Sequence, residues 1–235
     1  MIPKTIHYCW FGKGEKNPTI QKCLASWREH LSDYNIVEWN EENFDTNKYE
    51  YTKRSYKDKK WAFVSDYARL VILREHGGIY LDTDMFVLKS FNDILTSVTT
   101  EGKEFFIGYE DKIHISAGII ASTPNHKYIL DLLRYYDRST VYTPIPKILT
   151  EIFNAGSYNI KTFSAIYFYP FTAANIKKFN FKNAPPESYA VHMWNYSWGN
   201  PLNKFAKKIG IHVVLVKILD TLKIKVIMKK LLHME

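Results

Sequence analysis

Apolar residues recur along this chain in two rhythms, one short and dense, the other spaced at three and four. Ile2 to Trp10 is a compact apolar run that closes on Phe11-Gly12 and a polar loop through Gly14 and Pro18, as a first buried strand does. Ile20, Leu24, Trp27 and Leu31 then fall at helical spacing, and Asn35–Trp39 is short enough for a second strand. Residues 40–60 are rich in Lys, Tyr, Asn and Glu and predict a polar loop with short helices. From Trp61 to His76 the positions Phe63, Tyr67, Leu70, Val71 and Arg74 trace one helical face, and Gly77-Gly78 stops it. Ile79–Leu88 is the clearest strand. Phe105–Tyr109, His114–Ala121, Ile160–Tyr169 and Ser188–Trp194 read as further strands of one sheet, with helices at Asn125–Tyr136 and Pro144–Phe153. Strands alternating with helices over some 200 residues predict an α/β fold with a mixed central sheet flanked by helices.

Composition narrows the class. The 235 residues suit one compact domain, and 46% hydrophobic with 24% charged residues is ordinary for a globular protein. The net charge of +8 is uneven. Residues 201–235 hold eight lysines against only Asp220 and Glu235, so the domain expected over residues 1–200 is nearly balanced. That argues against nucleic acid as a partner, which would need the basic stripe on the folded domain. Ile211, Leu215, Ile218 and Leu222 trace a helical stripe in the basic extension. Residues 205–235 are therefore read either as a helix drawn to an anionic membrane surface or as one packed on the domain.

Cys9 and Cys23 form neither a CxxC pair nor a disulfide framework. The start Met-Ile-Pro-Lys has no signal-peptide core, and no run approaches the roughly 20 apolar residues of a membrane span. The expected location is cytoplasmic, and peripheral on the inner face of the cell membrane if the first of those two readings of residues 205–235 holds.

Candidate chemistry gathers around Ile79-Tyr-Leu-Asp-Thr-Asp-Met-Phe-Val87. A strand period of two puts Tyr80, Asp82 and Asp84 on one face. Two neighbouring carboxylates repel unless a cation sits with them, and a hard divalent ion can join carboxylate oxygen to phosphate oxygen. Such an ion also stabilises the charge that grows on a departing diphosphate. Alone the pattern is weak: with eleven Asp in the chain, about half an Asp-x-Asp is expected by chance. Its context adds weight. Asp66 and Arg69 lie three apart on the helix that runs directly into this strand, so both can reach a ligand held at the aspartates.

Three blocks in order carry a resemblance. Ile2-Pro-Lys-Thr-Ile-His-Tyr-Cys-Trp-Phe-Gly12, Ala62-Phe-Val-Ser-Asp-Tyr-Ala-Arg69 and Gly77-Gly-Ile-Tyr-Leu-Asp-Thr-Asp84 closely resemble glycosyltransferase family 32. These are DXD-containing sugar transferases of bacterial capsular polysaccharides, related to yeast-type mannosyltransferases and to the glucosyltransferase domains of large clostridial toxins. The resemblance spans roughly residues 1–200. It implies a GT-A fold and a retaining transferase moving a sugar from a nucleotide-sugar donor, a UDP-sugar first, to a glycan or lipid-linked glycan in capsule or lipopolysaccharide synthesis. It also implies a divalent cation, manganese before magnesium. Trp10 would stack on the base. Asp66 and Arg69 would hold the sugar and ribose hydroxyls, with Ser65 and Tyr80 beside them. Asp82 would meet the sugar and a metal-bound water, and Asp84 the metal itself.

Tyr189-Ala-Val-His-Met-Trp-Asn-Tyr-Ser-Trp198 resembles the closing segment of that family. There His192 would ligate the metal or bond the diphosphate, and Ser197 and Trp198 would close over the phosphates. Ile115-Ser-Ala-Gly-Ile-Ile-Ala121 is a further family-like block, whose small residues would leave room for the acceptor. The loop Phe11-Gly-Lys-Gly-Glu-Lys16 lacks the arginine a sugar-phosphate nucleotidyltransferase requires, and a two-metal hydrolase would need a denser His and Asp cluster. The non-enzyme alternative is an inactive relative kept as a sugar-binding or scaffold protein.

Overall fold

The computed structural model describes residues 1–195. The expected basic extension over 201–235, its membrane-facing helix, Ser197 and Trp198 lie outside the described residues.

Among the described residues eight strands and seven α-helices follow one another. β1 (Thr5–Cys9), α1 (Pro18–His30), β2 (Asn35–Trp39), α2 (Glu50–Lys57), α3 (Trp61–His76), β3 (Gly78–Leu81) and β4 (Met85–Val87) make the first half. α4 (Asn92–Thr100), β5 (Phe105–Tyr109), β6 (Ile115–Ser122), α5 (Lys127–Arg138), α6 (Ile145–Ala155), β7 (Ile160–Phe163), α7 (Ala165–Phe168) and β8 (Ala190–His192) complete it. The main sheet has six strands in the order β2-β1-β3-β6-β5-β7, all parallel except β6.

Both faces of this sheet are covered, which is why its strands are continuous apolar runs rather than alternating ones. Tyr80, Phe105, Ile107 and Ile120 pack with α3, α5 and α6. Their neighbours Ile79, Leu81, Phe106, Ile119 and Ala121 pack with α1 and α4 on the other side. α3 is buried nearly all round from Val64 through Leu73, with only Ser65 half-exposed in that stretch, because α2 and α5 cover what the sheet does not. Its one-sided sequence pattern therefore understates its burial.

The helix stops where a side chain will not fit. Gly77 (φ 62°) and Gly78 (φ 93°) take backbone angles that favour glycine, and a Cβ at Gly78 would lie 2.7 Å from the Thr5 carbonyl and 2.9 Å from His7 Nε2. Nearer the N-terminus, α1 starts two residues before the apolar pattern does. Asn17 caps it by accepting from the Thr19 and Ile20 amides at 3.0 and 3.1 Å, and Pro18 occupies the first turn.

Three sequence expectations are corrected. Ile79–Leu88 is not one strand: β3 ends at Leu81, and a turn closed by the Met85 amide on the Asp82 carbonyl (2.9 Å) sends β4 out of the main sheet. Asp-Thr-Asp favours such a turn over a continuing ladder. β4 instead pairs antiparallel with β8, so Ser188–Trp194 does not close the main sheet. The backbone that β4 thereby exposes is met by α1: Trp27 Nε1 donates to the Met85 carbonyl (2.6 Å), and the Val87 amide donates to Ser26 Oγ (3.0 Å). Finally, Ile160–Tyr169 is a strand only to Phe163 before turning into α7. α4 was not foreseen, although Ile94, Leu95 and Val98 carry its spacing.

His7 gives the fold a pH dependence. Its Nδ1 accepts from Trp39 Nε1 (3.1 Å), which leaves Nε2–H to donate to the Gly77 carbonyl (3.1 Å). A second proton has no place. Burial first, then His76, lower its pKa to about 4. Between that value and the ordinary value of 6.5 the unfolded chain binds a proton that the native one refuses. The stability from neutral His7 is thus full above pH 6.5, falls by up to about 1.4 kcal/mol per pH unit below it, and levels off near pH 4. Imidazole NMR should show His7 neutral at pH 5. A resonance titrating near 6.5 would contradict this.

Candidate active site

β1, β2, β3, β5 and β7 run the same way and end at one edge of the sheet, where β6 begins. Ligands of open α/β sheets bind beyond such carboxyl ends. The residues singled out above converge there. α3 brings Arg69 to this edge, where its Nη2 meets Asp66 at 2.9 Å and its Nη1 meets Asp82 at 3.1 Å and the Ala117 carbonyl at 2.9 Å. Nε donates to the Ser65 carbonyl at 3.2 Å, and the guanidinium lies over the Tyr80 ring at 4.4 Å. The Asp66–Arg69 pair is not an exposed helix contact. Both side chains are under 10% exposed. Burial opposes the charge on Arg69, but Asp82, Tyr80 and Asp66 outweigh it and hold the guanidinium protonated.

Around this clamp the carboxylates differ. Burial pushes Asp66 up to about 7 against the pull of Arg69, with the Asp82 charge adding to the rise. Asp82 is also raised, by burial and by Asp84, though Arg69 works against both. Asp84 is opposite in sign. Burial resists its ionisation, yet His192 and the Asn195 amide prevail and hold it below the usual carboxylate range.

The turn after β3 places Asp84 beside β8. His192 Nε2 is 3.1 Å from Asp84 Oδ1, the Asn195 amide donates to Oδ2 at 2.7 Å, and the Met193 amide donates to the Asp84 carbonyl at 2.8 Å. One ligand atom each from Asp82, Asp84 and His192 lies within 4.8 Å of the others. Burial lowers the His192 pKa, but the Asp84 carboxylate raises it further and leaves it above its ordinary value. A proton on His192 thus occupies electrostatically the position a cation would take. Two carboxylates and an imidazole are a donor set that could hold a divalent ion. His192 Nδ1 is buried without a hydrogen-bond partner among the described residues, so the ring is not locked against such use.

The other expected residues are placed as follows. Trp10 follows β1 at the same edge, half-buried, with Nε1 donating to the Gly14 carbonyl (2.6 Å) and Lys16 Nζ 5.2 Å from its ring. The Ser65 hydroxyl turns back to the Trp61 carbonyl at 3.1 Å. Tyr80 is buried beneath Arg69. Several neighbours escaped the sequence reading. Glu110 and Tyr169 face the same space, where Ser116 meets both: the Glu110 charge reaches His192, and Tyr169 receives the Ile119 amide at 3.1 Å. The ring of Trp194 lies 4.2 Å from that of His192. Glu110 and Tyr169 sit in no spacing that chemistry would demand: the end of β5 delivers the first and the end of α7 the second, while Trp194, part of the closing segment quoted above, follows β8.

Residues 18–101 match the family model described as a glycosyltransferase sugar-binding region containing a DXD motif. An uncharacterized glycosyltransferase of Acanthamoeba polyphaga mimivirus is 30% identical over 236 aligned positions, covering 88% of this chain and 87% of its own length. The chain belongs to the DXD-containing glycosyltransferases. Human lactosylceramide 4-alpha-galactosyltransferase is a more distant relative of this DXD transferase, 24% identical over 201 positions, with 76% of this chain covering 52% of the human enzyme. Among solved structures the glycosyltransferase PaToxG superimposes with a TM-score of 0.51 at 21% identity, covering 66% of this chain and 68% of that one. The DXD transferase fold is GT-A, as the sequence resemblance implied. The Asp-Thr-Asp turn lies inside the matched region, at residues 82–84.

Proposed function

We propose that this glycosyltransferase is divalent-metal-dependent and retaining, and takes its sugar from a nucleotide diphosphate, a UDP-sugar first among the candidates. The acceptor is a glycan or lipid-linked glycan, and the setting is surface polysaccharide assembly on the cytoplasmic face of a membrane. The observation that carries the reading is Arg69 clamped between Asp66 and Asp82, with Asp84 and His192 within ligand distance of Asp82.

Asp82, Asp84 and His192 would hold the cation, which when bound offsets the charge left on the departing diphosphate. The remaining work belongs to the chain. Asp66 accepts from sugar or ribose hydroxyls, since Arg69 satisfies only part of its carboxylate. Arg69 fixes Asp82 and Asp66 at once, so both acids keep their angle to the donor as charge develops. Trp10 offers the base an aromatic face at the end of β1. The manganese preference, the retention and the capsule or lipopolysaccharide setting rest on the family 32 resemblance. A relative named for lactosylceramide supports a glycolipid among the acceptors.

Thermal-shift measurement tests the donor. With manganese and a cognate nucleotide sugar at about 100 times its Kd, native stability should rise by about 2.7 kcal/mol, and the midpoint by several degrees. Chelator should reverse it. A shift with nucleotide sugar that is indifferent to chelator removes the metal role. No shift and no donor hydrolysis across UDP- and GDP-sugars removes the transferase mechanism.

A further inference from the structure

Beside Asp82, Asp84 and His192, the opposite face of the β4–β8 pair carries a surface that the chemistry does not use. Met85 and Val87 point into the core, so strand alternation turns Phe86 outward. Phe86 meets Phe181 at 5.3 Å and Phe179 at 6.2 Å between ring centroids. Phe179 in turn meets Phe181 at 5.7 Å and Phe171 at 5.4 Å. Phe181 is 68% exposed, whereas most other large apolar side chains among the described residues are buried. Two short 3-10 turns, Ile176–Lys178 and Phe181–Asn183, lie in the same segment as these rings. That segment also carries the exposed Lys177, Lys178 and Lys182, and no acidic residue falls between Phe171 and Pro186, Glu187 being the first to follow.

Phe181 stands in water on half-buried phenylalanines, which is costly unless something apolar receives it. Three exposed lysines in a segment without acids select against a basic partner. Aromatic rings on the same segment as flexible ammonium groups match the boundary of an anionic bilayer, where rings enter below the headgroups and lysines stay among the phosphates. We propose that the Phe86–Phe179–Phe181 patch with Lys177, Lys178 and Lys182 docks this glycosyltransferase on an anionic lipid surface. The docking is distinct from the basic extension beyond residue 200. Because His192 and Asp84 flank the same two-stranded ladder, docking would bring the active site to the level of the headgroups. On the transferase reading above, this favours a lipid-linked acceptor over a free glycan.

The test is cosedimentation of the full chain with phosphatidylcholine vesicles containing or lacking 30% phosphatidylserine. The unaltered protein should bind the anionic vesicles and lose them in high salt, where charges are screened. Lys177→Glu with Lys178→Glu should weaken binding more than tenfold, at about fivefold or more per charge. Phe181→Ser, an exposed position whose change leaves the core untouched, should weaken it at least severalfold at unchanged melting temperature. Donor hydrolysis should persist in both variants, which separates loss of docking from loss of catalysis. A comparison variant carries Gln at Lys223, Lys225, Lys229 and Lys230. Unaltered protein that ignores anionic vesicles, or patch variants that bind as before while the comparison variant does not, would overturn the proposal. Equal capture by neutral vesicles, or by polyanions such as heparin with no vesicle binding, would overturn it as well.

Discussion

Replacing Asp84 with Asn should lower sugar transfer at saturating donor by about a thousandfold or more, roughly 4 kcal/mol of lost transition-state stabilisation, in a protein that still folds. Asn is close in size to Asp and can still accept the Asn195 amide, so the loop keeps its anchor. What disappears is charge. Asp84 is the carboxylate that this structure keeps ionised, because His192 at 3.1 Å and the Asn195 amide at 2.7 Å overcome its burial. Asp82 is raised instead and spends part of its charge on Arg69. Asp84 is therefore the stronger anchor for a divalent ion. Transfer rates with titrated manganese measure the effect. Full activity for the Asn variant at ordinary manganese would end the assignment, whereas activity recovered only at very high manganese would support it.

The second large effect is on stability. Arg69→Met keeps the length and apolar stem of the side chain but strands Asp66 and Asp82 without their cation. Breaking a buried pair from one side costs about 3–5 kcal/mol, a large share of a domain's stability. The sign of its pH dependence follows from Asp66. With a native pKa near 7 against 3.8 when unfolded, the native state binds the extra proton between those values, so this group stabilises less as pH rises. Removing Arg69 takes away the main influence holding Asp66 down, and the decline steepens. Urea unfolding should find Arg69→Met more deficient at pH 8 than at pH 5, and Asp66→Asn in the same chain should restore part of the loss. A variant equally stable at both pH values would show that Asp66 is not the stranded charge. The charge on Arg69 can be tested separately with Arg69→Lys, which supplies the cation but cannot reach Asp66, Asp82 and the Ala117 carbonyl together.

Both effects concern residues that were visible as a pattern, but neither role was visible in full. The three-residue spacing of Asp66 and Arg69 suggested a pair; that it is buried depends on α2 and α5 closing over α3. Asp-Thr-Asp pointed to a metal, but the sequence reading placed it within one long strand. Period-two reasoning put Asp82 and Asp84 on one side, while in the structure a turn, closed by Met85 on the Asp82 carbonyl, brings them together. His192 entered through a resemblance alone, and its partner Asp84 stands 108 positions away.

What the sequence determined by itself is local and chemical. The apolar runs set most strands and helices, Gly77-Gly78 ended the central helix, and the three motif blocks pointed to a DXD-containing glycosyltransferase. The tertiary structure alone decided where Ile79–Leu88 breaks, that β8 pairs with β4, and that Glu110, Tyr169 and the Asn195 amide join the site. The reason is physical: periodicity and turn chemistry act over a few residues. Burial, the neighbours of a charge and the partner of a strand edge depend on chain segments far apart in sequence, and only packing brings those together.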